Sequence, residues 1–387
     1  MTKKESRKKR KIYSKGEVTK TENTSISKGQ KPKTNKKKNY SYGGGRGSVK
    51  GPANLPKKRN RSPDIKTVER NILQYIIGQD KQVRQILTAI YRAMQLKTIK
   101  SNVLIIGSSG TGKTATITQI AKRLHIPYTI EDATKYTQEG YYGADVNDMI
   151  YNLIENANLD IEKAQNGMII IDEIDKKAGH GEHDVSGTEV LKSLLKIIEG
   201  TKIKIPSLDD PFETEMINFD TKNIIIIFLG AFSGLEEIRD KRLNINPLGF
   251  QTNNTPQEKQ TSNFLKKDLI EYGMPEEFVG RVDTIIEMNK LTKEDLALIL
   301  KKSKLSIFRK YQAELREKGI ILSYNGKLFE RIAEESLALD TGARELSNTV
   351  NHMFENIMYD IFANPYKYQK CILELEIVED NTRYKLI

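Results

Sequence analysis

Three short stretches carry the residue types that phosphate chemistry needs. Gly107-Ser108-Ser109-Gly110-Thr111-Gly112-Lys113-Thr114 satisfies the pattern G-x-x-x-x-G-K-[ST] at every fixed position. Its glycines let backbone N–H groups turn inward round phosphate oxygens, and a helix that follows presents its positive end to them. Lys113 supplies a point charge for the β- and γ-phosphates, and Thr114 a hydroxyl for Mg2+. Downstream, the apolar run Met168–Ile171 ends in Asp172-Glu173-Ile174-Asp175. A strand ending there delivers one carboxylate, Asp172, to the Mg2+ shell and a second, Glu173, to the attacking water. With the loop upstream, that pair points to nucleotide hydrolysis and not to binding alone. A transferring phosphoryl group needs more positive charge than one lysine, and an arginine finger is worth roughly 10³–10⁵ in rate. Arg281, in Glu277-Phe278-Val279-Gly280-Arg281, and Arg344, in Thr341-Gly342-Ala343-Arg344, have suggestive settings. Composition alone does not separate either from an ordinary helix-terminal arginine.

These residues need strands and helices to hold them. Asn102–Ile106 reads as a buried strand running into the glycine-rich loop, and Lys113–Leu124 as the helix after it. Met168–Ile171 and Asn223–Leu229 are further buried-type strands. Strands alternating with helical segments predict an α/β fold, a mostly parallel sheet with helices on both faces. Between them, Thr188–Glu199 places Val190, Leu191, Leu194, Leu195 and Ile198 on one helical face, with Gly200 as a C-cap. After about Met288 the texture changes to helices with one late strand. Thr292 caps a helix running to Lys310 or beyond; a helix from Ala343 buries Leu346, Val350, Phe354, Ile357 and Ile361; Cys371–Val378 alternates as a half-buried strand does. The expected organisation is a tail over 1–61, a large nucleotide-binding domain over 62–288 and a smaller, mainly helical domain over 289–387.

Charge separates the tail from the rest. The chain of 387 residues has a net charge of +12, yet 21 of its 63 Lys+Arg and only 3 of its 51 Asp+Glu lie before Ser62. The tail is therefore +18 and the remainder −6. Rich in Lys, Ser, Gly, Asn and Thr, the tail cannot bury enough apolar surface to offset the entropy of ordering, and it reads as disordered. Its two readings are attachment to an anionic partner such as nucleic acid, and a solvated extension with no specific role. The longest apolar run, Ile224–Leu229, falls far short of the ~20 residues of a membrane helix. Cys371 is the only cysteine, so cysteine-based zinc sites and disulfide frameworks within the chain are not expected. With no apolar stretch after Met1–Lys11, a cytoplasmic protein is the expectation.

Taken in order, these motifs resemble the AAA+ ATPases, and within them the ClpX type, over roughly Ile65 to the C-terminus. The resemblance rests on Tyr75-Ile76-Ile77-Gly78-Gln79, the phosphate loop, Asp132-Ala133-Thr134, Gly140-Tyr141-Tyr142-Gly143 and Ile171–Lys176. It continues through Asp184-Val185-Ser186-Gly187, Leu195–Thr201, Gly230-Ala231-Phe232, Phe278–Arg281 and Thr341–Arg344. The resemblance implies an AAA+ large domain with a small C-terminal lid, binding ATP and Mg2+ and working as a homo-hexamer. Ile76 and Ile77 would pack the adenine with Ala343. Arg344 would touch the γ-phosphate of its own subunit's ATP, and Arg281 would reach a neighbour's. Gly140, Tyr141, Tyr142 and Gly143 would form the pore loop that grips polypeptide substrates, with His183–Gly187 a second such loop. Leu248-Gly249-Phe250 resembles the tripeptide that docks a ClpP-like peptidase.

The implied activity is ATP-driven unfolding and threading of proteins; the alternative is a nucleic-acid-associated AAA+ remodeller tethered by its basic tail. Three departures stand out. Residues 1–61 lack the cysteines of the family's zinc-binding module. Thr201–Asp220 carries Asp209, Asp210, Glu213 and Glu215 where the family has an Arg-Lys-His loop at the pore entrance. Gln251 follows the docking tripeptide.

Overall fold

β-Branched residues are frequent in the runs that become strands, because they pack well on a pleated surface. The computed structural model describes residues 63–96, 101–136, 147–179, 185–206, 216–243, 263–338, 342–368, 370–378 and 381–386. Its strands, in chain order, are β1 (Asn102–Ile106), β2 (Tyr128–Asp132), β3 (Met168–Asp172), β4 (Lys202–Pro206) and β5 (Met216–Asp220). They continue with β6 (Ile225–Gly230), β7 (Thr284–Glu287), β8 (Ile321–Tyr324), β9 (Ile372–Val378) and β10 (Asn381–Leu386). Five of them form one sheet in the order β2-β3-β6-β1-β7, and every neighbouring pair is parallel. Parallel sheets are covered on both faces, which is why β6, and β1 after Asn102, are apolar without alternation and both strands are buried at every residue.

The two faces carry separate cores. Val103, Ile105, Ile170 and Ile227 point into one, with Ile86, Ile90, Ile117 and Ile120 from the helices Asp80–Gln95 and Lys113–Leu124. Leu104, Ile169, Ile171 and Phe228 point into the other, against Leu153, Leu194, Ile198 and Phe278. Successive residues of a strand go to opposite cores, as a period of two requires. The α/β parallel-sheet expectation holds.

A third core, built on Leu296, Phe308, Phe329, Phe354 and Leu373, lies in the C-terminal region. The helix Ala343–Ala363 buries the five expected residues, Leu346, Val350, Phe354, Ile357 and Ile361. Two expectations there need correcting. The helix begun at Thr292 stops at Lys302, and a second runs from Ile307 to Glu317. Serine hydroxyls compete with the helical ladder at the break: Ser303 donates to Tyr75 O at 2.6 Å and Ser306 to Leu300 O at 2.6 Å, while Ser306 also caps the next helix. The single late strand is the middle of a three-stranded sheet, β10-β9-β8. Nearer the nucleotide-binding motifs, the helix expected from Thr188 already begins at Val185, so Val185–Gly187 are helical and not loop. The antiparallel pair β4–β5 follows it, and just after β5 Thr221 Oγ1 donates to Ile197 O of the helix at 3.3 Å. Among the described residues no helix is long and apolar enough to cross a membrane.

Candidate functional site

The carboxyl ends of β1, β3 and β6 converge, which is where open parallel sheets place their ligands. β1 runs directly into the glycine-rich loop, and Gly107 N–H donates to Gly230 O at 3.2 Å, pinning the loop to the end of β6. A Cβ on Gly107 would stand 2.9 Å from Met288 Cβ, so only glycine lets the strand and Met288 approach this closely. Gly110 and Gly112 take φ of +75° and +89°, and Gly112 opens the helix Lys113–Leu124. That backbone aims N–H groups and the helix's positive end into one concavity.

Lys113 Nζ donates to Gly107 O at 2.5 Å and to Ser108 O at 3.1 Å. Burial pushes its ammonium below the ordinary lysine value; Asp172, Asp175 and Glu173 pull it back up, while Arg344 pushes it down again. Thr114 Oγ1 donates to Asp172 Oδ2 at 2.9 Å, so the hydroxyl and the carboxylate expected at Mg2+ are in contact. Both are hard oxygen donors of the kind Mg2+ takes alongside phosphate oxygens. No cluster of three or more His, Cys, Asp or Glu side chains is arranged to hold a metal among the described residues. The fitting arrangement is thus a cation shared between these two side chains and a bound triphosphate. Asp172 Oδ1 also accepts from Glu173 N at 2.9 Å. Glu173 itself is exposed and sits at φ +57°, a left-handed conformation unusual for a residue with a Cβ. That turn lifts the carboxylate off the strand end and toward the phosphate loop.

The C-terminal region closes the site. The helix Ala343–Ala363 begins on the phosphate loop itself: Ala343 N–H donates to Gly110 O at 3.1 Å. Gly342 sits at φ +59°, and a Cβ there would crowd Ser109 O and Gly110 C at 3.1 Å. Arg344, one residue on, is exposed and lines a pocket of about 240 Å³ with Ser109, Gly110, Gly112, Lys113, Thr114, Asp172 and Glu173. Thr111 is buried, its hydroxyl donating to Ser108 O at 2.9 Å. A second pocket, of about 450 Å³, is lined by Ile76, Ile77, Gly78, Leu298 and Lys302. Ile76 is 6% exposed and belongs to the core beneath, whereas Ile77 is half-buried and offers the surface a purine would meet.

Arg281 stands apart from this assembly. It ends the helix Glu276–Arg281, its carbonyl accepts from Asn102 Nδ2 at 3.0 Å, and its guanidinium pairs with Glu199. Asn102 is the first residue of β1 and the phosphate loop follows the last, so Arg281 lies at the opposite end of the strand, roughly 13 Å away along it. Gly140–Gly143, Leu248–Phe250, Asp209–Glu215 and the tail 1–61 lie outside the described residues, as do His183 and Asp184.

Two residues of the site had no role assigned from sequence. Asp175, 3% exposed, accepts from Ala231 N at 3.2 Å and Phe232 N at 3.3 Å, tying the turn after β3 to the turn after β6. Gln79, fully buried, donates to Thr111 O at 3.2 Å and Asn289 O at 2.8 Å and accepts from Asn289 N at 3.0 Å. It joins the phosphate loop to the chain leaving β7. The signal available for Gln79 was a polar residue directly after Gly78 in an otherwise apolar approach to a helix.

Comparison with known proteins identifies the fold and the family. The family model described as AAA domain (Cdc48 subfamily) matches residues 98–285, and that of the C-terminal, D2-small domain of ClpB protein matches residues 291–366. The chain is 37% identical over 322 residues to the ATP-dependent Clp protease ATP-binding subunit ClpX of Borrelia duttonii, covering 77% of this chain and 75% of that protein. It is 35% identical over 319 residues to ClpX 2 of Wolinella succinogenes, covering 78% and 79%. For ClpX of Bacteroides thetaiotaomicron the identity is 33% over 323 residues, covering 78% of each.

Proposed function

Because the chain belongs to the ClpX family of AAA+ ATPases, we propose that it is the ATP-hydrolysing subunit of a protein-unfolding ring. ATP binds with its phosphates in the loop Gly107–Thr114 and its base against Ile77. A Mg2+ ion held by Thr114 and Asp172 would neutralise charge on the phosphate oxygens. Glu173 polarises the attacking water, Lys113 holds the β- and γ-phosphates, and Arg344 senses the γ-phosphate from the C-terminal region. Residues 289–387 act as a lid whose angle to 62–288 follows the nucleotide, with the pivot at Met288–Leu291. Tyr141 and its flanking residues Gly140, Tyr142 and Gly143 grip the substrate polypeptide, and Leu248-Gly249-Phe250 docks a ClpP-like peptidase.

The observation that carries the ring is the position of Arg281. An arginine side chain reaches about half the length of β1, so Arg281 cannot serve the pocket on its own chain. A finger held at the far end of the strand from its own phosphate loop serves a neighbour's. Active sites shared between identical chains close into a ring, a hexamer on this reading. The test is complementation. R281A and E173Q should each abolish hydrolysis alone, and a mixture of the two should regain a fraction of it, because some seams then pair an intact Arg281 with an intact Glu173. A mixture as dead as its parts would overturn the shared site.

A further inference from the structure

A second polar cluster lies just beyond the nucleotide pocket, at the carboxyl end of β2. Glu131 is 7% exposed, and its partners among the described residues are neutral donors. Tyr136 Oη donates to Glu131 Oε2 at 2.5 Å, Asn152 Nδ2 donates to Oε1 at 3.0 Å, and Thr129 Oγ1 also donates to Oε1. Tyr136 is 2% exposed, and burial followed by the hydrogen bond to Glu131 pushes its hydroxyl far above the ordinary tyrosine value. Tyr136 precedes residues 137–146, and Asn152 lies on the helix Asp148–Asn156 that follows them. One carboxylate therefore holds both flanks of the segment that contains Tyr141.

The cluster is wired to the hydrolytic residues. β2 and β3 pair in register, Asp132 opposite Asp172. From Glu173 the chain makes a single turn, Ile174–Lys177, and Lys177 Nζ donates to Tyr136 O at 2.9 Å. The other end of that turn is fixed by Asp175 to the backbone after β6. The turn thus has three attachments: to Glu173, to the end of β6, and to the root of the segment 137–146. In a buried setting such bonds are stiff, and leaving any partner unmade is costly, so displacement at one end is passed on and not absorbed.

We propose that Lys177, Tyr136 and Glu131 are positioning residues that transmit the state of the ATP site, through the turn Ile174–Lys177, to the root of the substrate-gripping segment. The inference rests on the reading of Tyr141 as a substrate grip. The Lys177 bond adds a link from the turn after β3 to the backbone at Tyr136, separate from the hydrogen bonds that hold Glu131.

The test compares K177M, K177R, Y136F and Y141A, each in the full chain. Basal ATP hydrolysis, its stimulation by a chemically unfolded polypeptide, ATP affinity and melting temperature are measured together. K177M and Y136F should keep basal turnover and ATP affinity within about twofold of wild type while stimulation by polypeptide falls about 2- to 30-fold, the range seen for residues that modulate coupling between sites. K177R, which keeps a long cationic donor, should restore it. If Y141A abolishes stimulation but K177M and Y136F leave it intact, the transmission route is wrong and the grip stands. If Y141A leaves stimulation intact, the grip itself is wrong. Loss of basal turnover in step with a lowered melting temperature in both K177M and Y136F, unrelieved in K177R, would mark the cluster as structural and also overturn the proposal.

Discussion

Replacing Gln79 perturbs a residue that touches neither phosphate nor substrate, and the structure sets the size of the effect. Its carboxamide is fully buried and makes three hydrogen bonds, two donated and one accepted. Leucine nearly fills the same volume, so Q79L removes the bonds with little cavity. The Asn289 N–H loses the acceptor that Gln79 offered, a part-buried bond whose loss costs about 1–3 kcal/mol. The carbonyls of Thr111 and Asn289 add less, because each keeps a second lone pair for another partner. A total of about 2–4 kcal/mol results. For the unit Asn60–Ile387, unfolding entropy is about 0.7 kcal/mol/K, which converts the loss to a melting point roughly 3–6 °C lower.

The isosteric Q79E sharpens the argument. It still accepts from Asn289 N–H but sets an oxygen against two carbonyls, so the carboxyl's folded-state pKa rises above its unfolded value. A group shifted that way contributes stability below its unfolded pKa and loses it as pH rises through the folded one. The deficit of Q79E relative to wild type should therefore shrink on acidification, while that of Q79L stays constant. Calorimetric melts across pH report both. A Q79L protein that melts with wild type, or a Q79E deficit independent of pH, would refute this account of how the phosphate loop is tied to Asn289.

Two further outcomes follow from the site. E173Q should bind ATP and gain melting temperature from it while turnover drops about 10²–10⁴-fold, the scale of a lost general base; near-normal turnover would remove Glu173 from the chemistry. Burial lowers the Lys113 pKa in the free protein, and a bound triphosphate favours the ammonium, so ATP binding should take up protons increasingly as pH is raised from neutral, and affinity should fall in parallel. Titration calorimetry in buffers of differing ionisation enthalpy detects the uptake, and none at alkaline pH would contradict the assignment of Lys113.

What was legible in the chain was whatever a local rule enforces. The phosphate loop needs glycine where φ is positive or backbones touch, and Gly107, Gly110 and Gly112 sit at those positions. Buried parallel strands need unbroken apolar runs, so β1, β3 and β6 announced themselves, and Asp172-Glu173 was found by standing at the end of one. The start and the five buried positions of the helix Ala343–Ala363 are legible because its apolar period runs long enough to be unambiguous.

What stayed hidden depends on partners far along the chain. Ser303 breaks a helix only because Tyr75 O is there to accept from it, across 228 positions of sequence. β8 and β10 are short or polar on their own, and β9 is what makes strands of them. Glu131 is the clearest instance. In Tyr128-Thr129-Ile130-Glu131-Asp132 it alternates as a solvent-facing residue would, and the period-two rule sends it outward. The opposite holds because Thr129, Tyr136 and Asn152 bring three donors to one point, and the exposed residue of that strand is Ile130. An inverted strand of this kind trades apolar burial for fixed direction: hydrogen bonds specify where Tyr136 and the helix Asp148–Asn156 stand relative to β3, which greasy contacts at the same place would not. That is the property Tyr136 and the helix Asp148–Asn156 need if their placement is to follow the turn after Glu173.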